Sequence, residues 1–284
     1  MTDISLALLD FPKRTDPPFA VAKLADQLGF SRYWITEHFE PHPDSLGSSL
    51  ISASVAASLT TRIRVGTAAI LLRFYPSALA AIQFRTLSTL FPGRIDAGFC
   101  SGGAINRQPL EADLRDWDFD SKVERLVSDT RGNDWPPENG APPSLWYVGR
   151  SSRSARIAGR LGVSFGYGLQ FQHNRDEPEA LADYRDSFVP TEHQQSPFAT
   201  IAIAGFCSDS AAEAERQVNE SLDRWAQGLH PLVVGTPQTC RDRLLYFAER
   251  YAVNEIVFVN LCRERDAAYR SLELLSDVLS LPKL

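Results

Sequence analysis

The 284-residue sequence lacks several things, and each lack narrows what it can be. Its four cysteines, at 100, 207, 240 and 262, form no CxxC pair and have no histidines close by, so neither a zinc site nor a disulfide framework is expected. No stretch approaches the ~20 apolar residues of a membrane helix. The first residues, MTDISLALLDFPKRTD, place a short apolar run between acidic flanks, unlike a secretory signal, so a cytoplasmic protein is expected. There is no excess of positive charge: 29 Lys and Arg stand against 35 Asp and Glu, a net charge of −6. Such a balance argues against nucleic acid or an anionic membrane as a partner. Lysine is nearly missing, 4 residues against 25 Arg, which reads as composition bias. The chain has no P-loop, and its first candidate βα turn, Asp10–Pro18, holds no glycine, which counts against a dinucleotide-binding Rossmann sheet.

What remains is globular, 44% hydrophobic and 23% charged, and strongly periodic. Ile4–Leu9 is an apolar run ended by Asp10, Phe11 and Pro12. Val21, Leu24, Ala25 and Leu28 then fall on one helical face, with Gly29 as a natural C-terminal stop. Further strands are expected at Tyr33–Thr36, Ile63–Leu72, Ile95–Cys100, Leu145–Val148, Ser164–Leu169, Phe198–Phe206 and Glu255–Val259. Helical faces lie between most of them, and Thr236-Pro237 has the form of an N-cap followed by proline at the first helical position. Residues 106–143 are the least regular, with one short helix expected over Ser121–Ser128. Eight strands alternating with helices over one domain, 1–284, favour an α/β fold of the (β/α)8 TIM-barrel type over an open sheet.

Active sites of such barrels form at the C-terminal ends of the strands. Four segments fall there: Thr36-Glu37-His38-Phe39, Thr67-Ala68-Ala69, Phe99-Cys100-Ser101-Gly102-Gly103, and Gly149-Arg150-Ser151-Ser152-Arg153-Ser154. The last has two readings. Serines at a helix start offer hydroxyls, free N–H groups and the positive end of the helix dipole, which suits a phosphate. The same residues also make an ordinary serine cap with Arg153, Arg156 and Arg160 on a solvated face. His38 is either a general base or hydrogen-bond donor beside Glu37, or a structural histidine. Cys100 is either a reactive thiol or a small buried apolar residue. Of the other histidines only His173, after the sixth strand, is a weak pocket candidate.

In combination these segments resemble the bacterial luciferase-like flavin-dependent monooxygenases. The resemblance rests on Leu28–His38 (LGFSRYWITEH), Arg62–Leu72 (RIRVGTAAILL), Phe91–Gly98 (FPGRIDAG), Leu145–Ser152 (LWYVGRSS) and Val233–Cys240 (VVGTPQTC) with the strand Asn254–Val259. The pieces come in the family's order and span nearly the whole chain. The resemblance implies a luciferase-like (β/α)8 barrel in which His38, with Glu37, is the active-site histidine facing the flavin. It implies that Ala68–Ala69 is a non-proline cis peptide against the flavin ring beside Thr67, and that Cys100 matches a reactive cysteine near it. Gly149, Arg150, Ser151, Ser152, Arg153 and Ser154 are implied to cradle the FMN phosphate, which favours the phosphate reading of that segment.

The chemistry implied is two-component: reduced FMN supplied by a separate flavin reductase, O2 as co-substrate, and a small, largely apolar organic substrate. Phe11, Trp34, Phe39, Phe74, Tyr75, Phe99 and Tyr167, at or near strand ends, are the candidate pocket walls. No metal is expected, and a homodimer through helices near strands two and three is. An F420-dependent oxidoreductase and a non-catalytic flavin-binding protein are the alternatives. The chain departs from the family pattern at Phe39, where a second histidine is usual, at Ser101, where luciferase has an arginine, and at Arg73-Phe74-Tyr75. The insertion between strands six and eight is also shortened, so the active site is expected to be either more open or closed by a partner subunit.

Overall fold

A computed structural model describes residues 4–11, 19–39, 46–102, 119–132, 142–170, 178–221, 232–262 and 264–284. In chain order the elements are β1 (Ser5–Asp10), α1 (Ala20–Leu28), β2 (Arg32–Ile35), α2 (Ser49–Leu59), β3 (Arg64–Thr67), β4 (Ile70–Leu71), a 3-10 turn (Leu72–Phe74) and α3 (Ser77–Leu90). There follow β5 (Ile95–Cys100), α4 (Phe119–Arg131), β6 (Ser144–Gly149), α5 (Ser152–Arg160), β7 (Ser164–Tyr167) and α6 (Glu179–Asp186). The chain ends with β8 (Ala199–Cys207), α7 (Ala211–Ser221), β9 (Leu232–Gly235), α8 (Pro237–Tyr251), β10 (Glu255–Asn260) and α9 (Arg265–Val278).

Eight parallel strands close into a ring in the order β1, β2, β3, β5, β6, β7, β8, β10, with β10 pairing back onto β1. This is the expected (β/α)8 barrel. Two details differ from the sequence reading. The long apolar run Ile63–Leu72 is not one strand: the cis peptide Ala68–Ala69 divides it into β3 and β4, and β4 continues along β5 with Leu71 opposite Cys100. The segment Val233–Gly235, not expected as a strand, lies in β9. It forms because β8, at nine residues, outruns the ring and its last four residues need a second partner.

Strand alternation sorts the core into two layers. Leu6 and Leu8 of β1, Tyr33 and Ile35 of β2, and Ile256 and Phe258 of β10 pack with the helices. Ala7, Leu9, Trp34, Trp146, Ala204, Val257 and Val259 fill the barrel interior. Trp34 and Trp146 meet edge to face, with centroids 4.8 Å apart.

The N-terminal end of the barrel is closed by ions. Asp96, fully buried at the start of β5, accepts Arg32 Nη1 at 2.7 Å, Arg64 Nε at 2.9 Å and Trp34 Nε1 at 2.9 Å, while Arg32 Nε donates to Glu255 at 2.7 Å. Burial alone would raise the Asp96 pKa, but the two arginines and these hydrogen bonds hold it below the usual carboxylate range. The arginines are therefore anchored at the floor, opposite the strand ends that carry the candidate site.

The expected caps are present. Gly29 ends α1 at φ 89, and a Cβ there would meet Pro282 O at 2.7 Å. Thr236 caps α8 by accepting the Thr239 N–H, with Pro237 next. The short helix expected over Ser121–Ser128 is longer, as α4. Part of the region expected to lack a long insertion, 171–177 and 222–231, lies outside the described residues, as do His42, His173 and His230. No described helix is long and apolar enough to cross a membrane, and no described His, Cys, Asp and Glu group could hold a metal.

Candidate active site

At the C-terminal mouth, β2 runs into Thr36, Glu37 and His38. Thr36 is tied to β1 through its N–H and Oγ1, both on Asp10 O. The next residue sends its side chain inward: Glu37 is only 3% exposed. Its Oε1 accepts the Ser49 N–H and Oγ at 3.3 and 3.1 Å and the Tyr75 hydroxyl at 2.7 Å, and Oε2 accepts the Leu71 N–H at 2.9 Å. Burial raises the Glu37 pKa, and these hydrogen bonds oppose the rise. Four donors leave this carboxylate little capacity for an external proton. Its geometry is that of a positioning group that joins the end of β2, the start of α2, β4 and the turn after it.

His38 is exposed, and its ring stacks on Phe11 with centroids 5.7 Å apart and an interplanar angle of 17°. Phe11 is placed by Asp10 Oδ1, which accepts its N–H at 2.8 Å. The histidine therefore stands at the mouth against the end of β1. Phe39 packs on Phe74 and Tyr75, at 5.5 and 6.4 Å, so three of the proposed wall residues form one aromatic group beside Glu37. Trp34 lies deeper, as part of the interior layer.

Phe99 and Tyr167 require a correction. Both are fully buried in the layer between barrel and helices, Phe99 against Tyr147 at 5.3 Å and Tyr167 against Phe165 and Tyr251. They lie on the strand face opposite Asp96 and Trp34, so they line no part of the interior.

The cis bond expected from the resemblance lies where β3 ends. Ala68 N–H donates to Ile35 O at 2.8 Å, Ala68 packs against the interior cluster, and Ala69 is buried. The hydroxyl of Thr67 is consumed between strands: it donates to Gly98 O at 2.6 Å and accepts the Gly98 N–H at 3.2 Å. Cys100 stands opposite Leu71, and burial pushes its thiol up to about 11, so it is not a thiolate near neutral pH.

On the far side of the mouth α5 begins. Ser151 and Ser154 form a reciprocal cap: Ser151 Oγ accepts the Ser154 N–H and Ser154 Oγ accepts the Ser151 N–H, each at 3.3 Å. Two of the four N–H groups without a helical acceptor are thereby satisfied, and those of Ser152 and Arg153 are left for solvent or an anion. The serine cap and the anion site are thus compatible, with the two hydroxyls doing the capping. Gly149 makes room for this: a Cβ there would meet Ser154 Oγ at 2.3 Å. Arg150 is exposed, and Arg153 is paired with Asp120 at 2.9 Å.

Sequence reasoning missed two features here. Asp120 could not be linked to Arg153 across 33 residues. Gln170, just past β7, is 3% exposed, and its Oε1 has no hydrogen-bond partner among the described residues. Its only sequence signal was its place as the first polar residue after an apolar strand.

With this geometry in place, the relatives are informative. Residues 19–127 match the family described as luciferase-like monooxygenase. A luciferase-like monooxygenase of Escherichia coli K12 is 27% identical over 89% of this chain and 79% of its own length. The structure of apo-MsnO8 superposes with a TM-score of 0.85 at 26% identity, covering 99% of this chain and all of the other. The oxygenating constituent of the Pseudomonas putida 3,6-diketocamphane monooxygenase, a type II Baeyer–Villiger enzyme in complex with FMN, shares the fold (TM-score 0.74, 17% identity, 99% of each chain). An F420-dependent glucose-6-phosphate dehydrogenase of Intrasporangium calvum is 35% identical, over 36% of this chain and 32% of its own. The resemblance drawn from the motifs is borne out as a likeness: the matching family model and the relatives are luciferase-like monooxygenases, and the chain shares their (β/α)8 barrel.

Proposed function

We propose that the protein is a monooxygenase that uses reduced FMN and O2 to oxidise a small, largely apolar organic molecule. A separate reductase supplies the flavin. The observation that carries this reading is the start of α5, where the Ser151–Ser154 cap leaves the N–H groups of Ser152 and Arg153 open and Gly149 keeps the approach clear. These groups fit the phosphate of FMN, with Arg150 at the same end, and the resemblance would put Ala68–Ala69 and Cys100 beside the flavin ring. When bound, reduced FMN supplies the electrons that activate O2.

The chain's own residues do the rest. His38, held against Phe11, would donate or accept a proton at the reacting group. Glu37 holds the segments around it. Phe11, Phe39 and Phe74 present apolar surface that excludes water and receives the substrate. The Gln170 amide offers a polar contact at the same end of the barrel.

A homodimer belongs to this reading. Ile51, Val55 and Leu59 of α2 and Leu79, Ile82 and Leu90 of α3 are exposed, Ile51 by 70%, and make an apolar face suited to a second copy.

The test is direct binding and turnover. Reduced FMN in anaerobic titration is expected to bind with micromolar affinity or better, and aerobic mixing with candidate substrates is expected to consume one O2 per product. F420 is the rival ligand, favoured by the 35% identity to the F420-dependent dehydrogenase. Tight F420 binding without FMN binding would transfer the assignment to hydride chemistry.

A further inference from the structure

Arg73 lies in the 3-10 turn Leu72–Phe74 that follows β4 at the mouth. Leu71 pairs in register with Cys100, and a Cβ on Gly102 would meet Leu71 and Phe74 at 3.7 and 4.0 Å, so the turn runs beside the end of β5. Ser77 Oγ, at the start of α3, donates to Lys122 O at 2.9 Å and ties this segment to the first turns of α4. The half-buried Arg73 guanidinium stacks over the ring of Phe119, the first residue of α4, at 5.0 Å. It has no carboxylate partner among the described residues.

Asp120, next to Phe119, is already engaged: it accepts Arg153 Nη2 at 2.9 Å, and Arg153 is in the first turn of α5. The turn after β4 and the starts of α4 and α5 therefore meet at one corner of the mouth. Tyr147 of β6 lies at the same corner. It is 5% exposed, its ring packs against Phe99 at 5.3 Å, and its hydroxyl makes no hydrogen bond to a described residue. Burial pushes that hydroxyl up to about 12, with Cys100 and Asp120 adding to the rise and Arg153 and Arg73 opposing it. A guanidinium stacked on a ring keeps its N–H edge free for an acceptor. Two donors at this corner thus lack an acceptor, and the described carboxylate beside them is taken by Arg153.

We propose that Arg73 and Tyr147 bind the phosphate of the flavin, the arginine as its counter-charge and the tyrosine as a hydroxyl donor. This role rests on the reading of the start of α5 as the phosphate site and extends it. The open N–H groups there are neutral, and Arg153 is neutralised by Asp120, whereas no described carboxylate cancels Arg73. Charge-assisted hydrogen bonds are roughly twice as strong as neutral ones, so Arg73 carries most of the preference for a phosphorylated flavin.

The test titrates reduced FMN and reduced riboflavin, which differ only in the phosphate, anaerobically into the full chain. Wild type is expected to prefer FMN by about tenfold or more. Arg73→Met keeps an apolar stem over Phe119 and is expected to shrink that preference by about tenfold, with riboflavin affinity within about twofold of wild type. Tyr147→Phe is expected to shrink it by roughly threefold, and Arg73→Lys to recover part of it. Circular dichroism and Tm confirm that the variants fold. An FMN preference unchanged in Arg73→Met, or an equal loss of both flavins, overturns the role of Arg73 and leaves the flavin reading intact. A wild type that binds both flavins equally removes the phosphate site, and one that binds neither overturns the flavin reading together with it.

Discussion

The hydroxyl of Tyr75 donates to Glu37 Oε1 at 2.7 Å, and that bond completes a carboxylate shared by four donors from three segments. Removing the donor in Tyr75→Phe leaves a buried charged acceptor short of a partner and is expected to cost about 1.5–3 kcal/mol. Glu37→Gln is expected to cost at least as much, because the amide nitrogen must face N–H donors. Urea unfolding of both variants checks this. Wild-type stability in Tyr75→Phe would show the hydroxyl to be idle.

The floor of the barrel predicts a pH dependence. Asp96 has a folded pKa below its unfolded value of about 3.9, so its contribution is fully present above that value. It is lost as pH falls through the folded value. Asp96→Asn leaves Arg64 without its carboxylate and Arg32 with Glu255 alone, and is expected to destabilise by about 3–5 kcal/mol at neutral pH. The variant should also lose that part of the acid limb. Thermal midpoints measured from pH 7 downward test both parts, and parallel acid limbs in variant and wild type would contradict the second.

Gly149→Ala forces a methyl group to within 2.3 Å of the Ser154 hydroxyl and disrupts the cap beside the open N–H groups. FMN affinity is expected to fall by roughly tenfold or more, the equivalent of about 1.4 kcal/mol, while the far-ultraviolet circular dichroism is kept. Unchanged affinity in a flavin titration would place the phosphate elsewhere.

His38 and Cys100 are expected to behave oppositely. His38→Ala should lower turnover by about a hundredfold or more while FMN affinity stays within about twofold, the pattern of a proton-handling residue. Cys100→Ala should keep most activity, because a thiol titrating at about 11 is protonated under working conditions. Iodoacetamide labelling of Cys100 in the folded protein should stay slow until the pH nears 11, since only the thiolate reacts. Fast labelling at pH 8 would disprove that assignment.

The apolar face of α2 and α3 predicts association. Ile51→Glu combined with Ile82→Glu is expected to turn a dimer into a monomer in light scattering while the barrel remains folded, since both residues are exposed in the single chain. A wild-type monomer at micromolar concentration would remove the dimer from the proposal.

The sequence by itself determined what is decided over short spans. The βα alternation, the stop at Gly29, the caps at Thr236 and at Ser151 with Ser154, and the position of His38 after β2 were all legible. Each depends on residues within a few positions of one another. Tertiary structure decided the rest. Period-two alternation says that Phe99 and Cys100 face opposite ways, but not which one faces in. That parity is visible only in the closed barrel, where Asp96 meets Arg32 from two strands away and Phe99 turns toward the helices. The split of Ile63–Leu72 and the formation of β9 depend on neighbours that exist only once the barrel closes. In the sequence Glu37 reads as the active-site neighbour of His38, yet its partners lie 12, 34 and 38 residues away. Only closure of the ring brings those donors together, and a buried carboxylate surrounded by them is held in place.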